Sequence, residues 1–263
     1  MNDVIKNFEL YLENETDFSK HTIDSYRKCA EQFFSQYKEF SQENARDFIH
    51  NLSQVRKPAT VMIRISGLCK LAEFLEVPIK LRRVKKMRSL ELENIINEDE
   101  YNRICDFLKD RGVTKKNGND YFLMVKILGT TGCRISELQK MTYEMVSSGE
   151  AVILGKGNKY RRFFFTEELK SLCSGKSGKI MKVSTRGFAT YLHEYVSKDV
   201  GIDREKMHPH AFRHFFAKMY LKQTKDVVQL AELLGHASVD TTRLYLQKSK
   251  EEQLLDYNQN VVW

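Results

Sequence analysis

Several kinds of feature are missing from this 263-residue chain, and each absence removes a class of protein. No C-x-x-C occurs among the five cysteines, Cys29, Cys69, Cys105, Cys133 and Cys173, and they are odd in number and widely spaced. That argues against a disulfide framework and against a zinc ribbon. No apolar run approaches the length that spans a bilayer. The first residues, "MNDVIKNFELYLENE", are charged and amphipathic, unlike the apolar core of a signal peptide. There is no internal repeat and no low-complexity tract. The expectation is a soluble, cytoplasmic protein with no membrane partner. What is present is positive charge: the formal net charge is +8. A basic balance favours a polyanionic partner, nucleic acid before an acidic membrane surface. A hydrophobic fraction of 41% is enough for a sizeable core in one or two domains.

The spacing of apolar residues predicts four helices in the first 78 residues. Val4, Phe8, Tyr11 and Leu12 share one face. Thr22 is read as opening a second helix, carrying Ile23, Tyr26, Ala30, Phe33 and Phe34. Ser41 suits the cap of a third, and Pro58 the first turn of a fourth with Val61, Ile65, Leu68 and Phe74. Residues 1–78 hold 10 basic against 12 acidic side chains, whereas residues 79–96 hold 6 against 2. Lys80, Arg82, Arg83, Lys85, Lys86 and Arg88 fall within nine residues that contain no acid. This stretch reads as a basic linker. A solvated charge run is the plain interpretation, and a strap across phosphates the functional one.

A second domain is expected over residues 97–263. Asn97 suits a helix cap, followed by Glu98, Asp99 and Glu100 in the first turn. "YFLMVKILGTTG" reads as a buried helix ending at glycine, and "EAVILGKGNKYRRFFF" as a β-hairpin. "GKIMKV" suggests one more short strand. Helices are expected over 184–199, 209–222, 226–234, 238–248 and in a tail near 250–258. The fold class is therefore mainly α with a small antiparallel sheet.

Certain polar residues stand where a core domain has no need of them. Arg134 opens a helix after "GTTGC". His210 and Arg213 lie three apart in "HPHAFRHFF", on one helical face. His236 follows the glycine in "LLGHASVDTTRLYLQ", whose outline mimics a helix-turn-helix, and Tyr245 follows nine residues later. Lys156 sits at the hairpin tip. Each has an ordinary alternative: Arg134 pairing with Glu137, a partly buried histidine, a packing tyrosine, a turn lysine. His210 and His214 are four apart, yet the glutamate of H-E-x-x-H and a third ligand are missing, so no metal is expected. As a set they suit phosphoryl transfer. Guanidiniums clamp phosphate, imidazoles move protons or donate hydrogen bonds, a lysine protonates a leaving oxygen, and a tyrosine attacks phosphorus. No acid cluster is needed, because no Mg²⁺ must be held.

At this point the chain resembles the tyrosine recombinases, also called the phage integrase family, and most closely their simple Xer-like members. "TGCRISEL" matches T-G-x-R-x-x-E-L, "GKGNK" the lysine hairpin, "HAFRH" the H-x-x-R motif, "LLGH" the L-G-H motif and "TTRLYLQ" the tyrosine segment. The departures are Phe212 and Phe215, which replace a usual leucine and threonine, and Gln247, which stands where a histidine often follows the nucleophile.

The resemblance implies a site-specific recombinase without cofactor, metal or ATP. Its catalytic residues would be Arg134, Lys156, His210, Arg213, His236 and Tyr245. Tyr245 would form a 3′-phosphotyrosyl link and free a 5′-hydroxyl, with His210 as base and Lys156 as acid. Exchange would pass through a Holliday junction. The partners implied are double-stranded DNA with paired sites, a homotetramer on DNA that is monomeric when free, and in some systems a directionality factor. A C-shaped clamp is implied, with residues 1–78 as a four-helix, SAM-like DNA-binding domain and no further arm-binding domain. Lys20 with Arg27, and Lys57 with Arg64, lie seven apart and would face DNA together with Arg82, Arg83, Lys85 and Lys86. The closing "LLDYNQNVVW", with Val261, Val262 and Trp263, would pass to a neighbouring subunit. Two other readings survive: a non-catalytic regulator that reads DNA through the 226–248 pattern, and a type IB topoisomerase-like enzyme that nicks and closes without exchange.

Overall fold

The computed structural model describes residues 2–82, 95–110, 120–155, 159–236, 238–246 and 257–258. The chain divides into two compact units, Met1–Arg88 and Ser89–Trp263.

The first unit contains α1 (Asn2–Glu15), α2 (Lys20–Phe34), α3 (Gln42–Val55) and α4 (Pro58–Phe74). Helix α2 begins two residues before the expected Thr22, because Ser19 caps it and accepts the Thr22 amide. Ser41 caps α3 in the same way, and Pro58 occupies the first turn of α4. The core is built around Phe33, whose ring meets Phe34, Tyr37, Phe40 and Phe48 at centroid distances of 5.1–5.4 Å. Helices α2 and α4 approach closely at Gly67, where an added Cβ would come within 3.1 Å of the Cys29 Cβ.

The second unit starts with α5 (Glu98–Asp110). Asn97 Oδ1 accepts the Glu100 amide while Glu100 Oε2 accepts the Asn97 amide, a complete capping box. Helix α6 (Tyr121–Thr131) is buried almost all round and forms the centre of this unit. It stops at Gly132, whose φ of 60° a side chain would resist. Short helices α7 (Ile135–Leu138) and α8 (Tyr143–Ser147) lead to the hairpin of β1 (Glu150–Leu154) and β2 (Tyr160–Phe164). The register pairs Ala151 with Phe163 and Ile153 with Arg161, so these four side chains share the buried face.

After α9 (Glu167–Cys173), the expected strand in "GKIMKV" is not formed; only a single bridge joins Thr142 to Lys179. Pairing ends there because Thr142 caps α8 and its backbone turns at once into that helix. The helix expected over 184–199 is α10 (Thr185–Tyr191), a wider π-type turn over Leu192–Val196, and α11 (Ser197–Val200). Next come α12 (Pro209–Thr224), α13 (Val227–Leu234) and α14 (Val239–Arg243), the last continuing as a 3₁₀ turn over Leu244–Leu246. The tail near 250–258 lies outside the described residues, apart from 257–258. Among the described residues no helix is long and apolar enough to cross a membrane.

Candidate functional site

Five of the six expected catalytic side chains lie among the described residues; Lys156 does not. The site forms where the ends of α6, α12 and α13 meet the hairpin.

Arg134 precedes α7 as its cap residue. Its backbone amide donates to Glu137 Oε2 at 2.6 Å, and its Nη1 to Glu137 Oε1 at 3.1 Å. Glu137 is 1% exposed and also accepts from Arg161 Nη1. Burial raises the Glu137 pKa, but the Arg134 amide, Arg161 and then Arg134's charge outweigh it and hold the carboxyl below its ordinary range. The expected Arg134–Glu137 pair therefore exists, and it orients the guanidinium while leaving it 24% exposed.

Arg161 was missed by the reading of the sequence. It is buried, donates through Nη2 to the Leu233 carbonyl, and lies over the Phe163 ring at 4.6 Å. Its Nε is buried and has no hydrogen-bond partner among the described residues. One side chain thus ties β2 to α7 and to the end of α13. Gly235 is required beside it: an added Cβ would fall 2.7 Å from Arg161 Nε, and the residue has a φ of 61°. The signal was present in the alternation of β2. If Phe163 faces inward, Arg161 two residues earlier does too.

Arg213 is 4% exposed on α12. Nη1 donates to the Gly132 carbonyl at 2.7 Å and Nη2 to the Leu234 carbonyl at 2.6 Å. It therefore caps the ends of α6 and α13 together, where carbonyls and helix dipoles favour a cation. Burial, then the nearby Arg134 and Arg161, pull its pKa down to about 10, so it stays charged at neutral pH.

His236 follows Gly235, with Nδ1 at 2.8 Å from Thr242 Oγ1, a fully buried hydroxyl. Burial, then the charges of Arg213, Arg134 and Arg161, push its pKa down to about 4. The ring is neutral, and in the tautomer in which the Thr242 hydroxyl donates to Nδ1 its proton sits on Nε2, ready to be donated. Thr242 is a second residue that the sequence did not single out. His210 stands at the surface on the first turn of α12, its pKa lowered by desolvation, Arg213 and Arg134.

Tyr245 is partly buried, packed against the small apolar cluster of Ala217, Leu221, Leu230 and Leu234. Its hydroxyl lies 2.7 Å from Nδ1 of His214, not on His210. Burial raises the phenol's pKa and Arg213 lowers it, with burial the larger effect. The two phenylalanines that depart from the family pattern are both core residues. Phe215 stacks on Tyr101 at 4.3 Å, and Phe212 meets the same ring edge-on at 6.4 Å. Gln247 lies outside the described residues.

The expected DNA-facing residues of the first unit differ in character. Lys20, Lys57 and Arg82 are exposed. Arg27 is within 4.0 Å of Glu9, Asp24 and Glu31, and Arg64 donates to the Ser25 carbonyl at 3.1 Å, so the two arginines are already engaged. Arg83, Lys85 and Lys86 lie outside the described residues. Among the described residues, no three metal-ligating side chains converge.

Residues 94–252 match the model of the phage integrase family. Tyrosine recombinase XerC of Lactobacillus delbrueckii subsp. bulgaricus is 26% identical, over 96% of this chain and 97% of its own. A tyrosine recombinase of Pseudothermotoga lettingae is 28% identical over 96% of each. In fold, the chain is similar to XerH site-specific recombinase bound to palindromic difH substrate, with TM-score 0.71 and 19% identity, covering 91% of this chain and 79% of that one. It is also similar to a lambda integrase dimer bound to a COC′ core site, with TM-score 0.69 and 16% identity over 93% and 76%. A match over residues 94–252 spans more than half of the sequence, and the chain belongs to the phage integrase family, the tyrosine recombinases.

Proposed function

We propose that the protein is a site-specific DNA recombinase that cuts and rejoins one strand at a time through Tyr245. The observation that carries this reading is the convergence of Arg134, Arg213, His236 and Tyr245 at the ends of α6, α12 and α13. Tyr245 attacks the scissile phosphate and gives a 3′-phosphotyrosyl link with a free 5′-hydroxyl. Arg134 and Arg213 stabilise the charge that develops on the non-bridging oxygens. Both are held by protein groups before substrate arrives, so little reorganisation is needed at the moment of reaction. His210 and His236 flank the phosphate, and Lys156 protonates the leaving 5′-oxygen. The covalent bond conserves the energy of the phosphodiester, so rejoining needs neither ATP nor metal. In this reading the partner is double-stranded DNA with paired sites, bound as a tetramer, with exposed Lys20, Lys57 and Arg82 among the phosphate contacts.

The test is covalent capture. The target site is first recovered by binding selection from random-sequence duplexes. A nicked duplex carrying it is then incubated in EDTA, and a denaturing gel is read for a protein–DNA adduct. Wild type gives the adduct and Tyr245→Phe gives none. Specific binding with no adduct would favour a DNA-reading regulator. Adduct with relaxation but no exchange between paired sites would favour a nicking-closing enzyme.

A further inference from the structure

The contact between Tyr245 and His214 assigns a role to a residue that lies outside the six matched positions. His214 follows Arg213 on α12 and lies one turn beyond His210, so all three project toward the same region. Its Nδ1 is 2.7 Å from the Tyr245 hydroxyl, and the two ring centroids are 5.5 Å apart. Among the described residues, the ring of His210 makes no hydrogen bond. The phenol that must lose a proton therefore already touches one imidazole, and it is not the expected one.

We propose that His214, rather than His210, receives the phenol proton of Tyr245 as the tyrosine attacks phosphorus. This rests on the recombinase reading above. As the Oη–P bond forms, the P–O5′ bond breaks. The proton of Tyr245 passes to His214 Nδ1, and the departing 5′-oxygen takes a proton from the Lys156 ammonium. Rejoining reverses each transfer, so protons balance over the cycle.

The surroundings support a base that works only with DNA in place. Burial, then the charges of His210, His208, Arg213 and His236, push His214 down to about 4. The ring is then neutral, and in the tautomer that carries its proton on Nε2 the Nδ1 accepts from the phenol. It is also too weak a base to ionise Tyr245 while it stays buried and the charge of Arg213 stands uncompensated. A bound phosphate, held by Arg134 and Arg213, offsets that positive potential and makes the imidazolium easier to form.

The experiment follows single-turnover adduct formation by the full chain on two nicked duplexes that carry the selected site. One has the natural phosphodiester and the other a 5′-bridging sulfur. A thiolate leaves without a proton, so the second substrate removes the need for an acid but not for a base. The proteins are wild type, His214→Phe, His214→Gln, His210→Gln and Tyr245→Phe. Glutamine retains a hydrogen-bonding side chain but cannot take the proton, and it serves also if the phenylalanine variant fails to fold.

Both His214 variants are expected to bind the site as wild type does and to form adduct about 10²-fold more slowly on either substrate. Recovery of wild-type rate by His214→Gln would reduce the contact to positioning and overturn the proposal. So would His214 variants that run at wild-type rate or faster while His210→Gln stays slow on the sulfur substrate. Absence of adduct from wild type would instead defeat the recombinase reading itself, and this inference with it.

Discussion

The two units use their interiors in opposite ways. All of the buried polar or charged residues among the described ones, namely Glu100, Thr131, Glu137, Arg161, Ser197, Arg213 and Thr242, belong to the second unit. The buried residues of the first are apolar, with aromatic rings clustered about Phe33. Burying a charge costs free energy unless it is paired and hydrogen-bonded, and replacing such a pair with packed hydrophobes is often neutral or stabilising. The second unit retains Glu137, Arg161 and Arg213 in its interior at that cost. The gain is placement: each fixes a helix end or another charged group, and together they aim Arg134, Arg213 and His236 at one point. The first unit shows what the chain does where stability alone sets the choice.

The strongest way to break this contrast is to remove Glu137. Glu137→Ala leaves Arg161 buried without its anion and releases Arg134, so loss of the pair is expected to cost about 3–5 kcal/mol of stability in the second unit. Misplacement of Arg134 is expected to slow adduct formation by about 10²-fold. Glu137→Gln keeps an acceptor and should fall between wild type and alanine. Chemical denaturation and single-turnover adduct kinetics read the two effects. If alanine leaves both unchanged, the buried network does not support the site.

A truncation in the first unit probes the other side. Phe33→Ala removes the ring at the centre of its aromatic cluster and is expected to cost about 3–5 kcal/mol there. Hydrogen exchange should then rise at amides of α1 to α4 and stay level across α6 and α12. The geometry of the site, read as protection around Gly132 and Leu234, should not change. Equal loss in both units would mean that they are not separate in stability.

This asymmetry also explains how much of the molecule was legible in the sequence. Apolar spacing, capping residues and turn glycines are local signals, and they located most helices and the hairpin within a few residues. Where the reading failed, the cause was a neighbour. The "GKIMKV" strand ends because Thr142 turns into a helix, and α2 starts early because Ser19 is a better cap. The five motifs marked the groups that face substrate. They did not mark Arg161, Thr242 or His214, which act through contacts 24, 6 and 31 residues away in sequence. Of these, Arg161 left a local trace in the alternation of β2, and His214 one in its spacing of four from His210.

The smallest expected effect sharpens the comparison through protons. His214 and His236 both have pKa values pushed from the ordinary 6.5 to about 4 by burial and by positive neighbours. Below pH 6.5 the unfolded chain therefore binds more protons at these rings than the folded chain does. Their contribution to stability is complete above that pH and is lost progressively as the pH falls toward 4. At pH 5 each ring would cost about 2 kcal/mol if fully shielded, and less because both are partly exposed. Glu137 is also held below its ordinary range, but its share is lost only at lower pH, as the carboxyl itself titrates. Unfolding followed by region-resolved exchange, at pH 7 and pH 5, should show the second unit losing stability in that interval. His236→Gln should remove part of the loss, since glutamine does not titrate. An interval in which the second unit is unaffected would mean that solvent reaches the two rings more freely than their contacts with Tyr245 and Thr242 require.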